Sequence, residues 1–139
     1  MKMAKEHYPM EVGTSLIGYY SDDGFDAFIC RTAPLPPDSK GLAHMFVRGA
    51  KGMRAFFSRL LERYSGKKYY VGEWHSHPDA LAYPSEIDDI NMSAISSDVK
   101  TNCPECILVI LGENFFELPK LGVFVYSRTR GRIDLYPDG

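Results

Sequence analysis

Apolar residues in this chain fall into two kinds of pattern: short runs, alternating or continuous, and two longer segments in which they recur every three or four positions. The short runs predict strands. Residues 14–20 (TSLIGYY) form the first, 21–24 (SDDG) a turn, and 25–33 (FDAFICRTA) its paired strand. The stretch 34–41 (PLPPDSKG) is a loop, because proline has no N–H to give a sheet ladder. Residues 42–48 (LAHMFVR) read as a further strand, and 69–74 (YYVGEW) as one running straight into His75. The nearly all-apolar 106–112 (CILVILG) suits an interior strand. Residues 121–127 and 132–137 close the chain as a hairpin about RTRG. The periodic segments predict helices. Over 50–64 the stripe is Ala50, Met53, Phe56, Phe57, Leu60, Leu61 and Tyr64, and its aromatics are core packing. Ser85 opens the second helix, with Ile87, Ile90, Ala94, Ile95 and Val99 expected inward. Residues 1–8 read as a short helix stopped at Pro9. With no repeat, linker or low-complexity tract, the expectation is one α+β domain over 1–139, a mixed sheet packed against helices.

Composition narrows the function. Of 139 residues, 45% are apolar and 24% charged, with a formal net charge of −2. That balance offers no broad basic footprint for nucleic acid. The Lys51, Arg54, Arg59, Arg63, Lys67 and Lys68 group reads as the wet side of a helix. No apolar run is long enough to span a membrane, and the first residues have no apolar signal-peptide core. Three cysteines, an odd number, argue against a secreted disulfide scaffold. A cytoplasmic enzyme or binding domain is the expectation. Cys30 reads as core filling, and Cys103 and Cys106 as ordinary cysteines near a loop.

The chemistry concentrates in 75–88. His75 and His77 sit at i and i+2, so at a strand end both imidazoles point to one face and converge on one ion. Neutral imidazole is a good zinc ligand, with Zn–N about 2.0–2.1 Å, and a catalytic zinc takes three protein ligands and keeps one position open. Asp88, in the first turn of the helix opened by Ser85, is the best third ligand. Asp89 is the alternative, but it faces about 100° away round the helix, toward solvent. Ser85-x-x-Asp88 is also close to a capping box, and the two roles are compatible. A hydrolase needs a carboxylate to take a proton from water. Glu73 and Glu11 are both candidates, and composition does not choose between them. Asp22, Asp23, Glu86 and Glu105 read as surface charge. The Ser85 hydroxyl is placed to donate to an oxyanion.

These residues resemble the JAB/MPN metalloprotease family, also called JAMM, whose motif is an upstream Glu, then His-x-His, then Ser-x-x-Asp. Here the match is Glu11, His75-Ser76-His77 and Ser85-Glu86-Ile87-Asp88, and GEWHSHP resembles the bacterial branch most. The resemblance implies that His75, His77 and Asp88 hold Zn2+, that Glu11 is general base and acid, and that Ser85 stabilises the oxyanion. It departs at Thr14, where the family usually has a second glycine. It further implies cleavage after the C-terminal tail of a ubiquitin-like protein, releasing conjugated targets or C-terminal extensions. Expected partners are that ubiquitin-like protein and its conjugates, E1- and E2-like proteins, and a nucleotide cyclase of an anti-phage operon. Loops 34–41 and 78–84 are the expected groove walls. Two other readings compete. A zinc deaminase would use a cysteine pair such as Cys103-Pro-Glu-Cys106, but its proline should precede the pair and a Glu should follow the first ligand. A non-catalytic JAB/MPN scaffold would have lost ligands, and this chain keeps them all.

Overall fold

The computed structural model describes residues 1–113 and 116–138. Its elements are α1 (Lys2–His7), β1 (Gly13–Tyr20), β2 (Ala27–Thr32), β3 (Lys40–Gly41), β4 (Phe46–Val47), α2 (Met53–Arg63), β5 (Tyr69–His77), α3 (Glu86–Ser97), β6 (Glu105–Gly112), β7 (Lys120–Ser127) and β8 (Gly131–Leu135). The main sheet has the order β2-β1-β5-β6-β7-β8. Its pairs are antiparallel except β5 with β6, which run parallel. A parallel pair needs a crossover, and α3 supplies it. This α+β domain, a mixed sheet packed against helices, is the expected architecture.

Both long helices lie on one face of the sheet. On α2, Phe57 meets Tyr70 of β5 edge-on, with ring centroids 6.0 Å apart. Met53 and Leu60 join Ile17 and Ala33 in a buried cluster. Beside it, Met92 of α3 packs on Leu108, Ile110, Phe124 and Tyr126. These positions share strand parity with Glu73 and His75 across the β5–β6 and β6–β7 registers. The helix-covered face therefore carries the histidines. The opposite face holds Leu16, Val71, Ile107 and Trp74. The basic group around α2 lies on its wet side, as expected, with Lys68 and Arg63 placed over the Tyr64 ring.

Three expectations need correction. Residues 42–48 do not form a strand. Leu42 N–H donates to Met45 O at 2.7 Å, which reverses the chain and leaves the two-residue ribbon β3–β4. The inward face of α3 is also not the apolar one. Ile87 (47% exposed), Ile90 (62%) and Val99 (76%) face out, as does Ala94, while Met92 and Ser96 are buried and Ile95 half-buried. The helix turns Asp88 and Asp89 inward because polar partners wait there, and those contacts outweigh its apolar stripe. Cys30 is exposed, because β2 is the sheet edge and its side chains are open to solvent.

Candidate metal centre

β5 places the histidines. Its ladder to β6 runs to His77, which pairs with Gly112. His75 and His77 share a face, with stacked rings 4.9 Å apart. Ser76 points the other way, where its buried Oγ accepts from Val12 N–H at 3.1 Å. Its own N–H donates to Val12 O at 2.8 Å. That clasp draws the segment before β1 against the end of β5. Gly13 completes the approach. A Cβ there would lie 2.1 Å from Trp74 O and 2.6 Å from His75 Cβ, so only glycine lets the two backbones meet so closely. Thr14, the departure from the family pattern, fits without loss: it is fully buried and its hydroxyl accepts the Trp74 indole N–H at 2.7 Å.

α3 brings Asp88. Ser85 caps it: the Ser85 Oγ accepts from Asp88 N–H at 3.2 Å, and Asp88 Oδ2 accepts from Ser85 N–H at 2.8 Å. The same carboxylate faces both histidines. Asp88 Oδ1 lies 3.2 Å from His75 Nε2, and Oδ2 lies 3.2 Å from His77 Nε2. Cap and candidate ligand therefore coexist in one side chain, as the sequence suggests. The three ligand atoms lie within 4.8 Å of one another.

The donor set fits a cation. His77 Nδ1 lies 3.1 Å from Leu81 O. A carbonyl oxygen only accepts, so Nδ1 carries the proton and the neutral ring turns the Nε2 lone pair toward Asp88. A lone pair and a carboxylate oxygen repel at this separation unless something positive lies between them. His75 Nε2 is buried, within ion-pair distance of Asp88 but with no hydrogen-bond partner. Such an orphaned atom costs free energy unless it is satisfied. Two imidazole nitrogens and one carboxylate, on two rigid elements, suit zinc with an open position.

The electrostatics agree. Burial alone would raise Asp88, but its contacts with both imidazoles and Ser85 N–H outweigh that and hold the carboxyl well below the usual range. Burial opposes charge on His77, yet Asp88, then Glu11 and the Leu81 carbonyl, lift its pKa above the ordinary 6.5. Zinc needs Asp88 ionised and both imidazoles neutral. Asp88 is ionised throughout the neutral range, and the raised His77 pKa makes a proton on that ring a competitor of the metal. Zinc affinity is therefore expected to rise with pH, by about tenfold per unit for each proton displaced. It should level off above the raised His77 pKa. Chelator competition from about pH 5.5 to 8, spanning the ordinary histidine value, measures this. A flat profile would contradict it.

Glu11 lies just before β1 and is buried. Its N–H donates to Leu42 O at 2.9 Å, which ties it to the β3–β4 turn. Burial raises its pKa, while His77 and His75, and less strongly His44 in that turn, pull it down; the net shift is upward. Glu73, the other candidate base, is committed elsewhere. Its Oε1 takes Arg48 Nη2 at 2.8 Å, Arg48 Nε at 2.9 Å and Tyr70 O–H at 3.2 Å. Asp89 does not meet solvent alone, as the helical geometry suggests, but is held by Arg132 in two hydrogen bonds of 2.9 and 3.0 Å. No local signal marks that pair, since 43 positions separate its members. Cys103 and Cys106 are buried in the core cluster with Leu108 and Tyr126, and the metal-binding cluster among the described residues contains no cysteine.

A groove leads to the centre. It is lined by Phe46, Val47 and Arg48 on one side, by Glu73, Trp74 and His75 of β5, and by α3 from Asp88 to Ile95 on the other. It encloses about 320 Å³. Loops 34–41 and 78–84, the expected walls, do not line it. They lie instead beneath Glu11, at Gly41, and against the ends of β6 and β7, at Ala80 and Ala82.

A family model described as prokaryotic homologs of the JAB domain matches residues 1–123. A curated relative, the CD-NTase/cGAS isopeptidase of Enterobacter hormaechei subsp. hoffmannii (strain UCI 50), is 38% identical over 102 residues, which is 73% of this chain and 55% of the relative. The chain thus spans about half the length of that protein. The solution structure of protein DSY2949 from Desulfitobacterium hafniense superposes with a TM-score of 0.62 at 21% identity, over 95% of this chain and 80% of that one. That likeness speaks for the fold. The match over nearly the whole chain makes the identification expected from Glu11, His-x-His and Ser-x-x-Asp a finding: the chain belongs to the prokaryotic JAB-domain family and is related to the bacterial JAMM proteins.

Proposed function

We propose that the chain is a zinc-dependent isopeptidase or peptidase of the JAMM type, which cleaves after the C-terminal tail of a ubiquitin-like protein. The observation that carries this reading is the meeting of His75, His77 and Asp88 beside a groove, with the buried Glu11 carboxyl close enough to feel the charge of all three. A zinc ion held there would supply Lewis acidity, polarising the scissile carbonyl and lowering the pKa of water from about 15.7 toward 7. Glu11, its pKa raised by burial, takes the proton from water onto its carboxylate and returns it to the leaving amine. Ser85 Oγ already accepts from Asp88 N–H, so its single O–H remains to donate to the oxyanion. The groove wall at β4 offers a strand edge to an extended tail, which adds main-chain hydrogen bonds along it. Small residues at the cut let the tail approach the histidines. The similarity to an isopeptidase supports this substrate class. A ubiquitin-like protein from the same operon, with E1- and E2-like proteins and a nucleotide cyclase as conjugation partners in the cytoplasm, completes the reading. A scaffold role is disfavoured, because the chain keeps His75, His77 and Asp88 and brings their ligand atoms together.

The test is a fusion of that ubiquitin-like protein to a reporter, with mass spectrometry of the products. A single cut directly after the terminal small residue is expected. Scattered cuts in unfolded proteins at similar efficiency would instead identify a general peptidase.

A further inference from the structure

The ligands come from two bodies. β5 is fixed by the sheet ladder, whereas α3 is docked on the sheet. The distance of Asp88 from the histidines therefore depends on how α3 is held. Apolar packing of α3 is confined to Met92 and the half-buried Ile95, since Ile87 and Ile90 face out. Two arginines of the β7–β8 hairpin grip it instead. At its end, Arg128 Nε donates to Ser96 O at 2.7 Å and Nη2 to Asp98 O at 3.4 Å. At its start, Arg132 Nη1 reaches both oxygens of Asp89, the residue next to Asp88. Tyr126 O–H adds a bond of 2.6 Å to Asp89 Oδ1. The guanidinium is itself aimed: Nε donates to Asp134 at 3.0 Å, and the group lies over the Tyr83 ring at 4.8 Å with Nη2 on the Tyr83 hydroxyl. Arg132 thus holds the chain on both sides of the Ser85 cap.

We propose that Arg132 is a positioning residue for the metal centre: acting through Asp89, it sets the first turn of α3 and so the place of Asp88 relative to His75 and His77. This rests on the reading of those three residues as ligands. The side chains of Asp89 and Arg132 remain 42% and 25% exposed, so solvent screens the pair and tempers its share of global stability. Its effect falls on geometry. Loss of stability and loss of metal affinity are therefore separable, and a purely structural contact would not move the second.

The experiment measures the zinc Kd by competition with a chromophoric chelator, and the melting temperature of the metal-free protein, for wild type, R132A, Y126F and D89N. Partners that orient metal ligands typically contribute 10- to 100-fold in affinity. R132A is expected to weaken zinc binding by about tenfold, at the lower end of that range, with a small change in melting temperature. Y126F, which keeps the ring and removes one bond to Asp89, should weaken it less. A folded R132A with the wild-type Kd overturns the proposal. Should R132A not fold, wild-type Kd values in both Y126F and D89N overturn it equally. Weakening confined to variants whose melting temperature has fallen to that of the assay is general unfolding, and also overturns it. Absence of zinc binding in the wild type, or equal binding by H75A/H77A, is a different result: it removes the ligand reading and this inference with it.

Discussion

Replacing His75 and His77 together by alanine is expected to take bound zinc from about one equivalent per chain to background while the fold survives. The loss should be near complete because the double variant leaves Asp88 as the only ligand of the set, and a lone carboxylate at a partly open groove is no zinc site. The fold should survive because neither imidazole supports the sheet. The β5–β6 ladder runs through the backbone of both residues, and Asp88 keeps its capping box with Ser85 without them. H77A alone should lose most of the metal, since it also removes the ring whose orientation the Leu81 carbonyl sets. Asp88→Asn separates cap from ligand: an amide oxygen still accepts from Ser85 N–H but binds zinc poorly. Asp89 should not rescue that variant, because Arg132 and Tyr126 already occupy its carboxylate. Metal analysis of purified proteins, with circular dichroism to confirm folding, gives the answer. Full metal retention in the double variant would sink the site, and full retention in D88N would move the third ligand to Asp89.

The parts of this centre that were legible in the sequence are those set by local geometry. Strand parity alone brings His75 and His77 to one face, and a Ser-x-x-Asp spacing alone makes a capping box. Both stand in the structure. The apolar run of β6 reads as an interior strand because it lies between two others and is covered on both faces. What was not legible depends on partners far along the chain. The hydrophobic period of α3 points Ile87 and Ile90 inward, yet Arg132, Tyr126 and the histidines draw the opposite, acidic face to the sheet. Cys30 looks like core until the strand order makes β2 an edge. Glu73 shares parity with the histidines and looks available until Arg48, 25 positions earlier, meets it. Between Glu11 and Glu73 the sequence pattern does not choose; the family resemblance favours Glu11, and the tertiary structure adds that Arg48 holds Glu73. Residues 42–48 have strand composition, but the chain must reverse there to bring Leu42 O to Glu11 N–H. Except at Cys30, where strand order decides, a long-range polar contact outweighs a local preference, and these contacts border the candidate metal centre or its groove.

Glu11→Gln is expected to keep zinc and fold and to lose hydrolysis by about 10²–10⁴, the usual contribution of a positioned acid–base group. The amide keeps the volume of the carboxyl in its buried place and leaves untouched the backbone bond from Glu11 N–H to Leu42 O. It cannot accept a proton. Glu11 suits the role because it lies within charge range of the cluster without being one of its ligands, and because burial raises its pKa while the histidines pull against that rise. Removing its negative charge should also lower the pKa of His77 in the metal-free protein, since Glu11 is one of the groups that raise it. Zinc then meets less proton competition, and its binding near pH 6 should not weaken through that route. The contrast is Glu73→Gln. That variant should keep activity in proportion to its folded fraction, with a lower melting temperature, because it leaves the half-buried Arg48 guanidinium without its counter-charge. Zinc content, melting temperature and single-turnover cleavage of the ubiquitin-like fusion, measured on both variants, separate the roles. An E11Q protein that cleaves at the wild-type rate, beside an E73Q protein that is inactive yet folded and metallated, would transfer the proton to Glu73.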